Sequence, residues 1–174
     1  MPKYYAGIGS RETPDFILDH MSSIATQLGN DGWTLRSGGA DGADLAFERG
    51  ALKSATQPHI YLPWPGFNNA VACRRNDPEV WTLAVAEAHH PAWANLKRGA
   101  RQLHCRNVHQ VLGDSTDLVD SRTPSSFILC WTPDAKGGGG TGQAIRIAQT
   151  YNVPVFDLAD RAVCDRVREG LGLR

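Results

Sequence analysis

The sequence predicts an α/β fold: a doubly wound, mainly parallel five-stranded sheet with helices on both faces. Three observations carry this reading. Short apolar runs alternate with stretches of helical periodicity from the first residues onward. Three glycine-rich segments each follow a strand-like run and precede a helix-like one. The run Phe127-Ile128-Leu129-Cys130-Trp131 is continuously apolar, as expected of a strand covered on both faces.

The elements follow in chain order. Tyr4 to Ile8 reads as the first strand and ends in Gly7-Ile8-Gly9-Ser10-Arg11. Thr13-Pro14 offers a capping hydroxyl followed by proline at the first helical position. Ile17, Met21, Ile24 and Leu28 then share one helical face, and Gly29 is the expected stop. Trp33 to Arg36 is a short second strand. It runs into Ser37-Gly38-Gly39-Ala40-Asp41-Gly42-Ala43-Asp44, with a helix expected over 43–53. His59 to Leu62 is a third strand, halted by the prolines of Pro63-Trp64-Pro65.

Residues 67–113 break this rhythm. Asp77-Pro78 is expected to start a helix carrying Trp81, Val85 and Ala88, and Pro91 interrupts it. A second helix is expected from Trp93 to Leu112. The segment is too short for a core of its own, so it reads as a helical elaboration within a single domain spanning 1–174. After the apolar strand, a loop from Thr132 to Gly140 leads into a helix over 141–151. Val153 to Leu158 is a fifth strand, and Asp160 caps a last helix with Val163, Val167 and Leu171 on one face.

Composition narrows the function classes. A chain of 174 residues with 41% hydrophobic and 21% charged residues is ordinary for a globular domain. Lys+Arg and Asp+Glu both number 18, which argues against a nucleic-acid partner, since proteins that track a phosphate backbone carry a basic excess. No apolar run is long enough to span a membrane, and the N-terminus lacks the apolar stretch of a secretion signal. Cys73, Cys105, Cys130 and Cys164 are widely spaced, as reduced thiols in a cytoplasmic protein would be.

The chemistry is concentrated in the three glycine-rich segments, Gly7 to Arg11, Ser37 to Asp41 and Gly138 to Gly142. In a parallel sheet all three fall at the carboxyl edge, where ligands bind at the reversal of strand order. Glycine lets backbone approach a ligand, and the free N–H groups of a helix start attract phosphate. Ser10, Ser37 and Thr141 can add hydroxyl donors, and Arg11 a bidentate cation. One such turn alone would read as a tight turn; three on one edge read as a pocket for a phosphorylated, nucleotide-like ligand. No P-loop and no complete dinucleotide fingerprint occurs, so no cofactor is indicated.

Asp41 and Asp44 flank a helix start. They either cap it, or one accepts ribose hydroxyls or acts in acid–base chemistry. Glu48, one turn on, is expected at the surface. Arg106-Asn107 is either a contact to the ligand or a solvated helix face. His89, His90, His104, Cys105 and His109 match no standard zinc spacing, so no metal site is expected. Trp131 is either core or a surface on which a base stacks.

The segments Gly7-Ile8-Gly9-Ser10-Arg11, Ser37 to Asp44, Arg106-Asn107 and Gly139-Gly140-Thr141-Gly142 together resemble the SLOG superfamily. That superfamily joins the DNA-processing protein DprA (Smf) to the LOG phosphoribohydrolases, with the small YspA-like proteins as the nearest branch. The resemblance implies a Rossmann-like sheet that binds nucleotides or nucleotide-derived ligands, and it implies a homodimer. It carries Gly9, Ser10 and Arg11 onto the first turn. Gly38, Gly39, Asp41 and Asp44 fall on the second, and Gly139, Gly140, Thr141 and Gly142 on the third, phosphate-holding turn. The glutamate that LOG enzymes need for cleavage is missing: Gln143 and Ala144 stand there, and Lys136-Gly137 replaces the leading proline. The expected function is therefore binding, as a sensing or sequestering domain. The alternatives are a nucleotide N-glycosidase using Asp41, Asp44 or Glu87, and a DprA-like partner of single-stranded DNA.

Overall fold

The computed structural model describes residues 2–70, 79–114 and 123–173. The strands are β1 (Lys3–Gly7), β2 (Trp33–Ser37), β3 (His59–Ile60), β4 (Ile128–Cys130) and β5 (Val155–Asp157). The helices are α1 (Asp15–Asn30), α2 (Ala43–Ala51), α3 (Val80–Ala88), α4 (Arg98–Leu112), α5 (Gly139–Thr150) and α6 (Arg161–Gly170). The sheet order is β3-β2-β1-β4-β5, and every neighbouring pair is parallel. This is the doubly wound α/β arrangement expected of strands alternating with helices.

Side chains alternate across β1 and divide the core in two. Tyr5 points to the face covered by α1, α2 and α6, where it joins Met21, Ile24, Leu35, Phe47 and Cys164. Ala6 points to the other face, with Cys105, Val108 and Leu112 of α4 and Ala144 and Ile147 of α5. So α4, from the irregular stretch 67–113, is itself a sheet-covering helix. Helices α1 and α2 meet closely at Gly50, where a Cβ would come within 2.1 Å of the Ser22 carbonyl oxygen. Glycine there lets α2 lie directly on α1.

Several boundaries differ from expectation for identifiable reasons. Helix α1 begins at Asp15, with Pro14 as its extended cap residue; the Thr13 hydroxyl instead donates to the Ser10 carbonyl at 2.7 Å and secures the first turn. Helix α4 starts at Arg98, because Leu96 and Lys97 are extended and separate it from a short 3-10 turn at Trp93–Asn95. The expected helix start at Asp77-Pro78 lies outside the described residues, as does Cys73. Asp160 caps α6 as expected, accepting from Ala162 and Val163.

Candidate functional site

The strand order reverses between β1 and β4, whose following connections leave to opposite sides of the sheet. A crevice forms outside the carboxyl ends of strands at such a point. A cleft of about 550 Å³ occupies it, lined by Ile8 to Glu12, Ala40, Asp44, one face of α4, and the segment from Thr132 to Ala144. The α4 face consists of Ala100, Leu103, His104, Asn107 and Gln110, with Arg106 alongside. Their spacing of three and four residues puts them on one side of the helix.

The third glycine turn supplies open backbone donors. Helix α5 begins at Gly139, and its first backbone bond runs from Gly142 N to Gly138 O. The N–H groups of Gly139, Gly140 and Thr141 therefore precede the intrahelical ladder. All three residues line the cleft, at the positive end of the helix. The loop before them is held from outside: the Thr132 hydroxyl accepts from Gly137 N at 2.9 Å and donates to an Asp157 carboxylate oxygen. The other Asp157 oxygen accepts from Thr132 N at 3.1 Å and Ala159 N at 3.0 Å. Strand β5 thus fixes the loop through a carboxylate that does not itself reach the cleft.

The first and second turns use their amides differently. Asp44 is buried, and its carboxylate accepts from Ala40 N at 3.2 Å. Ser10 N donates to the Trp131 carbonyl at 3.2 Å. An internal anion and an internal carbonyl therefore occupy amides that would otherwise face a ligand. Burial pushes the Asp44 carboxyl pKa up, against the opposing pull of Arg106 and of the backbone amides around it. Arg106 loses basicity on burial and recovers part of it from Asp44. Glu48, expected at the surface, is half-buried; burial and then the Asp44 charge raise its carboxyl pKa.

Gly38 is the point on which these groups close. A Cβ there would lie 2.5 Å from Gln110 Nε2, 2.8 Å from Asp44 Oδ2 and 2.9 Å from Arg106 Cζ. Gly9 is similarly confined, with Ala43 Cβ at 2.7 Å from such an atom. Both glycines permit a close approach of chain segments.

The sequence-derived site residues divide as follows. Gly9, Ser10, Arg11, Asp44, Arg106, Asn107, Gly139, Gly140 and Thr141 line the cleft. Ser37, Gly38, Gly39 and Gly142 support it from behind: the Ser37 hydroxyl donates to the Gly7 carbonyl at 2.7 Å, and a Cβ on Gly142 would strike the Gly137 carbonyl oxygen at 2.0 Å. Asp41 is exposed, accepts from Asn68 Nδ2 at 2.9 Å, and does not line the cleft. Asn107 donates to Gly140 O at 3.2 Å and to Gln143 Oε1 at 3.0 Å, joining α4 to the third turn. Trp131 packs against the apolar cluster beneath α1 and α2 rather than lining the cleft.

Sequence reasoning missed Ala100, Leu103, Gln110, Thr132 and Pro133 as lining residues. Their helical spacing was visible, but not which face of α4 the sheet leaves open. His104 also lines the cleft; its ring lies 4.5 Å from that of His90. Burial lowers the His104 imidazole pKa, against the upward pull of the neighbouring Gln143 side chain. Ala144 is buried, and Gln143 donates to the Ala86 carbonyl at 3.2 Å. Among the described residues, the carboxylates lining the cleft are those of Asp44 and Glu12, and Glu87 is not a lining residue.

No family model matches the sequence. No curated protein matches it either. Solved structures do. DNA processing protein A from Helicobacter pylori superposes with a TM-score of 0.54 at 17% identity, over 98% of this chain and 79% of that one. DprA from Streptococcus pneumoniae gives 0.52 at 14% identity, over 100% of this chain and 58% of that one. The fold is that of DprA. At such identity the likeness concerns the fold alone.

The DprA-like fold corrects one expectation. Zero net charge argued against a nucleic-acid partner, yet the Helicobacter pylori protein of this fold binds single-stranded DNA. The argument from charge fails because recognition depends on where cations sit, and a neutral total does not prevent Arg11, Arg106 and Lys136 from sharing one cleft. No helix among the described residues is long and apolar enough to cross a membrane.

Proposed function

We propose that the cleft binds the phosphate-bearing unit of a nucleotide, in a SLOG-type domain that senses or sequesters it. The observation that carries this reading is the set of open amides at Gly139, Gly140 and Thr141, facing the same space as Arg11, Arg106 and Lys136. The volume of about 550 Å³ suits a small ligand. Ala100, Leu103 and Pro133 offer apolar contact beside the polar end. Since the Asp44 carboxylate already takes the Ala40 amide and the Trp131 carbonyl takes that of Ser10, the third turn is the phosphate cradle and the others shape its walls.

A second reading takes the same unit as part of a single strand of DNA. The structural neighbours favour it, since one of them binds single-stranded DNA. Calorimetric titration of the chain with nucleoside monophosphates and with a short oligodeoxynucleotide separates the two. Saturable binding of a monophosphate, lost in Arg11→Ala, supports the first. Binding of the oligomer alone, weakening steeply with salt, supports the second. No binding in either arm removes the cleft assignment. Chromatography of the same mixtures should show no free base; release of base would replace binding by hydrolysis.

A further inference from the structure

Helix α4 carries a polar side chain that the proposed phosphate cradle does not use. Gln110 is 1% exposed, lines the cleft, and both its amide oxygen and its amide nitrogen lack a hydrogen-bond partner. A buried carboxamide in this condition costs stability, about 1–3 kcal/mol for an unsatisfied group, unless something else completes it. Its neighbours around Gly38 are the Asp44 carboxylate and the Arg106 guanidinium, whose Nε is also without a partner.

We propose that Gln110 is a specificity-determining residue that reads the vicinal hydroxyls of a ribose phosphate. The inference rests on the cleft binding a phosphorylated ligand, as proposed above. An amide presents a donor and an acceptor side by side, and each hydroxyl of a diol can both give and receive. One hydroxyl accepts from Nε2–H and the other donates to Oε1. A second phosphate would satisfy the nitrogen but set its oxygens against Oε1 and Asp44. Asp44 and Arg106 supply opposite charges at this end of the cleft, so the pair favours a neutral polar group there. The spacing along α4 agrees. Asn107 sits at the third glycine turn through Gly140, and Gln110 follows one helical turn further, about 5 Å, the reach from a phosphate to the sugar that bears it.

Titration calorimetry of the full chain with inorganic phosphate, ribose 5-phosphate and 2-deoxyribose 5-phosphate tests this. Ribose 5-phosphate should bind about tenfold more tightly than its 2-deoxy analogue, because the missing hydroxyl leaves one amide atom buried and unpaired. In Gln110→Met that preference should fall to about one while the affinity for inorganic phosphate stays unchanged. The melting temperature of the variant should hold or rise, since an apolar isostere removes an unsatisfied group. Equal affinity for the two sugars in the native chain overturns the inference without any variant. A preference retained in Gln110→Met, or a lowered melting temperature with the preference intact, also overturns it and makes Gln110 a structural group. Phosphate binding with no sugar preference leaves the cradle standing; absence of all binding removes both.

Discussion

The Arg106 guanidinium donates to the Gly38 carbonyl at 2.8 Å, tying helix α4 to the turn after β2. Beside the same glycine lies the Asp44 carboxylate, which accepts from Ala40 N at 3.2 Å. One buried acid therefore braces the second turn, and one arginine couples that turn to the helix that walls the cleft. A glycine-rich turn can serve an external anion or an internal group, and here the second turn serves Asp44.

Asp44→Ala should destabilise the chain by about 1–3 kcal/mol, because it leaves the Ala40 amide without its acceptor and removes the opposite charge near the buried Arg106. Asp44→Asn, which keeps an acceptor oxygen, should cost less. Urea unfolding of both variants checks the order.

Asp44 should also give stability a pH dependence of specific sign. Its folded pKa is raised, mainly by burial, so above the ordinary carboxylate value of about 4 the folded state holds a proton that the unfolded state has released. Stability from this group is fully present below that value and declines as pH rises toward the folded pKa. Denaturation midpoints across this range should show the decline in the native chain, and Asp44→Asn should flatten it.

Gly38→Ala should cost about 1–3 kcal/mol, since the new methyl meets Gln110, Asp44 and Arg106 within 3 Å. Gly138→Ala, with open space around it and a negative φ of −83°, should leave stability within about 0.5 kcal/mol. Thermal melts of the pair distinguish close packing at the second turn from simple turn flexibility.

Thr132→Val should loosen the third turn by removing the hydroxyl that bridges Gly137 N and Asp157. A stability loss of about 1–2 kcal/mol is expected, with phosphate affinity falling about tenfold. An unchanged affinity would show that the loop holds its shape without β5.

Much of this was legible in the sequence because its causes are local. Strand runs and helix faces follow from periodicity, so the five strands and the alternating helices emerged with boundaries off by a few residues. The Asp160 cap was legible for the same reason, since a side chain reaching its own next turn needs nothing distant. The Thr13 cap was misread because Ser10, in the preceding turn, competes for the same hydroxyl. Asp41 and Asp44 looked equivalent three residues apart, yet one faces solvent and the other is buried. A helix start turns successive side chains in different directions, and only the packed sheet decides which of them meets the interior.

The sequence alone determined the order of strands and helices and the presence of three glycine turns at their junctions, because both depend on short-range periodicity and backbone freedom. The tertiary structure alone decided that β1 and β4 lie side by side, that Asp44 takes up the Ala40 amide, and that Gln110 lines the cleft unpaired. Those facts join residues as much as 120 positions apart, and no local rule reports which distant groups burial will bring together.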